Sequence, residues 1–180
     1  MIISVKEKKM EIFDLFDCDR QLTGQTIQRG QVIPEGMYRM VVHLAIFGSD
    51  GKMLIQRRTD DKSTWAGLWD ITLGGHVVSG ETSFQGVCRE LSEELGLEMN
   101  AEKMRPSFTI NFSNGFDDYY ITEMDVDIHK LKLQAEEVSA VKWAEIDDIM
   151  SMIDSGEFIP YKKSLIEMLF EMKLSTGAHK

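Results

Sequence analysis

The segment from Phe84 to Leu95 constrains this chain more than any other. Phe84, Val87, Cys88, Leu91 and Leu95 recur at the three- and four-residue steps of a helix with one apolar stripe. Glu90, Glu93 and Glu94 project from the other side, related by i, i+3 and i+4, so their carboxylates converge. Like charges at that spacing cost a helix about 0.2–0.5 kcal/mol per pair, and only Arg89 flanks them. A hard divalent cation resolves the repulsion, because Mg²⁺ and Mn²⁺ prefer oxygen ligands. The bland alternative is a solvated acidic face. Thr82 with Gln85 reads as a capping box and Gly96 as a left-handed C-terminal residue. Gly86 falls on the acidic face and leaves room for a ligand. Gly74-Gly75 precedes the helix in a loop whose backbone can approach phosphate or offer a carbonyl to a metal.

The remaining pattern mixes strands with helices, which places the chain in the α/β or α+β class. Glu11–Asp17 reads as an edge strand and Gln21–Gly36 as a polar loop or short hairpin. Arg39–Phe47 and Met53–Gln56 flank a turn centred on Asp50-Gly51, a hairpin signal. Trp69–Leu73, Ser107–Phe112, Tyr119–Ile128 and Val141–Trp143 read as further strands. Ile146–Ile153 and Tyr161–Lys173 read as helices, the second starting beside Pro160. Met1–Lys9 reads as a loose leader.

A length of 180 residues suits one domain with a real core, so we expect a single domain over 1–180. The formal net charge of −10, without a basic run, argues against binding a nucleic-acid polymer. No apolar run approaches the length of a membrane span, and the first residues lack a signal-peptide core. These features predict a cytoplasmic protein that does not insert in a membrane. Cys18 and Cys88 show no metal or disulfide spacing and read as reduced thiols packed as small apolar groups.

From Gly75 to Leu97 the sequence resembles the Nudix box: Gly75, five residues, Glu81, seven residues, Arg89-Glu90-Leu91, one residue, Glu93-Glu94, one residue, Gly96-Leu97. The resemblance implies the Nudix fold, a mixed β-sheet sandwiched between helices with a loop–helix–loop catalytic motif. It implies a metal-dependent hydrolase that cleaves a diphosphate bond in a small molecule, such as a nucleoside diphosphate linked to another moiety. It further implies Glu90, Glu93, Glu94 and the Gly75 carbonyl as ligands of Mg²⁺ or Mn²⁺. Glu81 and Arg89 look like the pair that holds loop against helix. Outside the box, segments such as Gln56-Arg57-Arg58, Lys62–Asp70 and Gly74-Gly75-His76 resemble the Nudix branch related to isopentenyl-diphosphate isomerase. Those isomerases carry a catalytic cysteine in the segment that here reads Trp69–His76, where glycines stand instead. Isomerisation is therefore the second reading and hydrolysis the first.

Other residues complete the expectations. Glu136 and Glu137 are candidates for an additional acid, with Asp117 and Asp118 as rivals; a general base must reach the attacking water. Arg57, Arg58 and Trp69 are candidates for substrate binding, and Trp65 for flanking a substrate or filling the core. His43 reads as a core histidine, while His76 lies closer to the chemistry. Met152, Leu165, Met168, Phe170 and Met172 read as helix packing, with a homodimer contact as an alternative.

Overall fold

A computed structural model describes residues 10–99, 103–173, 177 and 179; the expected leader at 1–9 lies outside them. The elements run β1 (Ile12–Phe16), β2 (Leu22–Gln28), β3 (Arg39–Phe47), β4 (Met53–Arg58), β5 (Trp69–Asp70), β6 (Leu73–His76), α1 (Ser83–Leu95), β7 (Phe108–Phe112), β8 (Gly115–Glu123), a 3₁₀ turn (Ile128–Lys130), β9 (Val138–Ala144), α2 (Ile146–Ser155) and α3 (Lys163–Met172).

β3 is the spine, and the two-residue period of a strand explains how it organises both faces. Met40, Val42, Leu44 and Ile46 pack with Val87, Leu91 and Leu95 of α1. Ala45 and Phe47 face the other way, against Ile149 and Met152 of α2 and Ile166, Leu169 and Phe170 of α3. On that second face the helices cover only the end of β3; Arg39, Val41 and His43 nearer its start line an open cleft.

β3 runs parallel to β8, in register from Arg39↔Gly115 to Phe47↔Glu123, and β7 adds antiparallel to β8. On its other edge β3 forks. Near its start it pairs with β6, Val42 opposite Gly75 and His43 opposite Gly74. Near its end it meets β4 at Phe47↔Met53, beyond the expected Asp50-Gly51 turn. β4 in turn carries β5 and β9. The fork opens the sheet where α1 aims its acids.

The structure differs from expectation in several places. Part of the polar segment after Gln21 is a strand: β2 pairs with β1 and buries Ile27 with Phe13 and Leu15. The stretch Trp69–Leu73 is not one strand. The Asp70 carboxylate accepts the Ile71 N–H, and the Thr72 hydroxyl accepts the Ile46 N–H and donates to the Leu54 carbonyl. Side chains thus take over ladder bonds between β5 and β6. β8 ends at Glu123, because Asp125 accepts the Ser49 N–H and Asp127 caps the 3₁₀ turn. Gly86 is buried against Val77, where an added Cβ would lie 3.0 Å from Val77 Cγ2, so it is not on the ligand side of α1. Cys88 packs against the apolar core beside α1 as expected, whereas Cys18 is exposed.

Candidate active site

α1 starts and stops where the sequence directs. Thr82 accepts the Gln85 N–H while the Gln85 side chain accepts the Thr82 N–H, and Gly96 closes the helix at φ 66°. The Gly96 N–H donates to the Ser92 carbonyl, and the Gln134 N–H donates to the Glu94 carbonyl. The loop ahead of β9 therefore hangs from the end of this helix.

The three acids of α1 occupy different environments. Glu93 is 54% exposed, Glu90 only 15%, and Glu94 is buried. Glu94 accepts a bond of 3.0 Å from Gln56 Nε2 on β4. Burial and the charge of Glu90 push the Glu94 carboxyl up to about 8, against the Gln56 bond that lowers it. Burial also raises Glu90, although Arg89 opposes this. Glu90 lies against Gly75: a Cβ there would stand 2.5 Å from the Glu90 carboxyl carbon. Only glycine lets the two come together.

Arg89 organises the surrounding charge. Its Nε donates to Glu81 Oε1 at 2.8 Å, and its Nη2 donates to the His76 carbonyl at 2.8 Å. Its Nη1 lies 3.0 Å from both Glu90 and Glu93. Burial alone would lower its pKa, but the bonds and charges of Glu81 and Glu90 outweigh burial and raise it. Glu81 also accepts the Val78 N–H, so one carboxylate and one guanidinium staple the β6–α1 loop to the helix.

The acids open onto a cleft of about 660 Å³, within the usual range for small-molecule sites. Glu90, Glu93, Glu94, Gly75 and His76 line it, together with Arg39, Arg58, Lys62, Trp65, Asp117 and Glu137. Glu137 pairs with Lys62. Arg58 donates to the Thr64 carbonyl at 3.2 Å. Trp65 is 51% exposed at the rim and holds φ 53°, a left-handed conformation that bulky residues rarely adopt. His76 stacks on Phe13, and burial with the positive charge of Arg39 and Arg29 pulls its pKa down to about 3.

Several expected residues fall elsewhere. Glu136 is exposed and does not line the cleft. Asp118 is fully buried away from it, held by Arg20, Ser83 and Thr109. Arg57 bonds Asp60 and Ser139 outside the cleft. Trp69 packs into the core beneath Lys142, 4.4 Å from its ring. His43 is a cleft residue rather than a core one: Nε2 lies 3.3 Å from Asp117, its ring stacks on Tyr119, and Nδ1 is buried without a partner. Asp70, which the sequence did not single out, is buried beside the cleft and accepts a bond from the Tyr161 hydroxyl at 2.9 Å. Burial raises its pKa.

Among the described residues, no three acidic, histidine or cysteine side chains already stand as a formed metal cage. Arg89 and Gln56 hold the carboxylates instead. The donor set nevertheless fits a hard cation: buried or half-buried carboxyl oxygens beside a glycine backbone, with Glu90 and Glu94 both destabilised as anions by burial. No helix among the described residues is long and apolar enough to cross a membrane.

Residues 37–164 match the model of the NUDIX domain family. Over 170 residues the chain is 40% identical to an uncharacterized Nudix hydrolase of Listeria innocua, covering 94% of this chain and 99% of that protein. It is 30% identical over 136 residues to the isopentenyl-diphosphate Delta-isomerase of Corynebacterium diphtheriae, covering 71% of this chain and 74% of that enzyme. The crystal structure of DR0079 from Deinococcus radiodurans superposes with a TM-score of 0.70 at 26% identity, over 89% of this chain and 98% of that one.

Proposed function

The chain belongs to the Nudix hydrolase family, and on that premise we propose that it hydrolyses a diphosphate bond in a small molecule bound along the cleft, with Mg²⁺ or Mn²⁺ as cofactor. The observation that carries this reading is the Gly75–Glu90 approach beside buried Glu94, a set of carboxyl oxygens gathered without enough positive charge.

Glu90, Glu93, Glu94 and the Gly75 carbonyl would hold the cation, which supplies charge screening for the diphosphate and a more acidic water. Gln56 fixes one Glu94 oxygen and leaves the other directed elsewhere. Arg89, anchored by Glu81 and the His76 carbonyl, sets the position of Glu90 relative to the β6 backbone. Arg58 and Lys62 add positive charge to the cleft, Lys62 beside Glu137 and within reach of Glu94. In hydrolysis a water oxygen bonds to one phosphorus, and the bridging oxygen departs with the other phosphate. Glu137, the acid of the late loop that lines the cleft, is our choice to accept the water proton.

Glu93→Gln and Glu94→Gln proteins test the reading in a screen of nucleoside diphosphate derivatives, dinucleoside polyphosphates and prenyl diphosphates with Mg²⁺ or Mn²⁺, in which the phosphomonoester products are separated and quantified by chromatography. We expect a loss of at least about 100-fold in kcat for each; parental rates in both would sink the proposal. Likeness to the isomerase favours isoprenoid isomerisation as a second reading, but the Trp69–His76 segment has no cysteine. Product NMR after incubation with isopentenyl diphosphate decides it, and absence of an allylic product eliminates it.

A further inference from the structure

Four cationic side chains line the cleft: Arg29, Arg39, Arg58 and Lys62. Three are engaged. Arg29 pairs with Glu11 at 2.7 Å, Lys62 pairs with Glu137, and Arg58 donates to the Thr64 carbonyl with Asp70 4.0 Å away. Arg39 differs. Its Nε is buried with no hydrogen-bond partner, and among the described residues no carboxylate lies within 4.0 Å of its guanidinium. Its neighbour is the Phe112 ring, 5.9 Å away. Asp117, whose charge acts on Arg39, is engaged by His43.

A half-buried guanidinium without a partner is costly, because burial removes water that nothing replaces. Burial lowers the Arg39 pKa, and the charge of Asp117 only partly opposes this while Arg29 adds to it. Buried polar groups that lack a partner mark places where a ligand or ordered water supplies one. The planar fork of arginine suits the oxygens of a phosphate.

The position of Arg39 separates it from the acids of α1. Gly75 faces Val42 across the sheet, and Arg39 lies three residues earlier on β3, about 10 Å along the strand. We propose that Arg39 forms a second anion subsite in the cleft, holding a phosphate-type group of the substrate beyond the diphosphate bond that is cleaved. The substrate class is then a polyphosphate or a diphosphate bearing a further anionic group, rather than a simple diphosphate ester. This deepens the hydrolase reading and rests on it for taking the cleft as the substrate site.

Calorimetric titration of Ca²⁺-loaded protein with pyrophosphate and with tripolyphosphate tests the subsite with a hard, slowly catalysing cation on the glutamates to anchor the diphosphate end. The parent should bind tripolyphosphate at least about tenfold more tightly than pyrophosphate. Arg39→Gln should erase that difference, Arg39→Lys should keep part of it, and Arg57→Gln, outside the cleft, should keep all of it. Turnover with the best substrate should show a raised KM and little change in kcat for Arg39→Gln. The proposal is overturned if the parent shows no preference or if Arg39→Gln retains it. It is equally overturned if Arg39→Gln weakens both anions alike, since Arg39 would then grip the diphosphate itself. Failure of the hydrolase reading is seen separately, as no phosphomonoester product from any diphosphate, and leaves the titration result standing.

Discussion

The Glu90 carboxyl occupies the space that a side chain at Gly75 would fill, with 2.5 Å between its carbon and an ideal Cβ on the glycine. No methyl group fits there without moving the helix or the carboxylate. Gly75→Ala should therefore cost about 1–3 kcal/mol of stability and at least about 100-fold in kcat. Thermal unfolding and the rate of phosphomonoester formation from a cleaved diphosphate read the two effects. An unchanged kcat would mean that Glu90 has no catalytic use for this approach.

Glu94 ties stability to pH in the metal-free protein. Its folded-state pKa is raised from 4.5 to about 8 by burial and by Glu90. The fold therefore favours the neutral carboxyl. Its contribution is fully present below about pH 4.5 and is lost as pH rises through about 8. The parent should lose on the order of a few kcal/mol across that window relative to Glu94→Gln, seen as converging melting temperatures at low pH and diverging ones at high pH. Added Mg²⁺ should restore the parent and leave the variant unmoved.

Arg89→Lys retains charge but cannot reach Glu81, the His76 carbonyl, Glu90 and Glu93 at once. We expect a loss of about 1–3 kcal/mol and a fall in kcat through displacement of Glu90. Guanidinium or urea denaturation against the parent measures the first. Equal stability would remove the stapling role given to the Arg89–Glu81 pair.

Tyr161→Phe deletes the hydroxyl that donates to buried Asp70. The carboxyl then keeps the Ile71 N–H as its remaining donor at that oxygen. The expected cost is about 1–3 kcal/mol. Because burial raises the Asp70 pKa, the loss should be larger at high pH, where the carboxyl is ionised and needs the donor more. A pH-independent difference in melting would refute this.

The sequence disclosed α1 almost to the residue, because its stripe, cap and terminal glycine are local signals. It also disclosed that Glu81, Arg89 and Gly75 belong with the acids, through spacing that a motif preserves. It did not disclose which helix acids are buried. A helical wheel puts Glu94 at the margin of the apolar stripe, beside Val87, and the fork between β4 and β6 decides that it turns inside to Gln56. His43 was misplaced for a related reason: strand alternation assigns it to the face that carries Phe47, but only the sheet's partial cover by α2 and α3 leaves it in the cleft. Asp70 and Arg39 carry no local pattern at all. Their significance comes from partners, or missing partners, that lie far away in the chain.

The Gln134 N–H bond to the Glu94 carbonyl makes the wall carrying Glu137 a rigid appendage of α1. Those two sides of the cleft cannot change their separation to accommodate different cargo. Adaptation to molecular size then belongs to the β1–β2 hairpin, which among the described residues has no backbone bond to α1, whereas the turn bearing Trp65 is held to the Glu137 wall through Thr59 and Lys62. Change in what this scaffold accepts should accordingly accumulate in that hairpin while the helix and its appended loop stay constant.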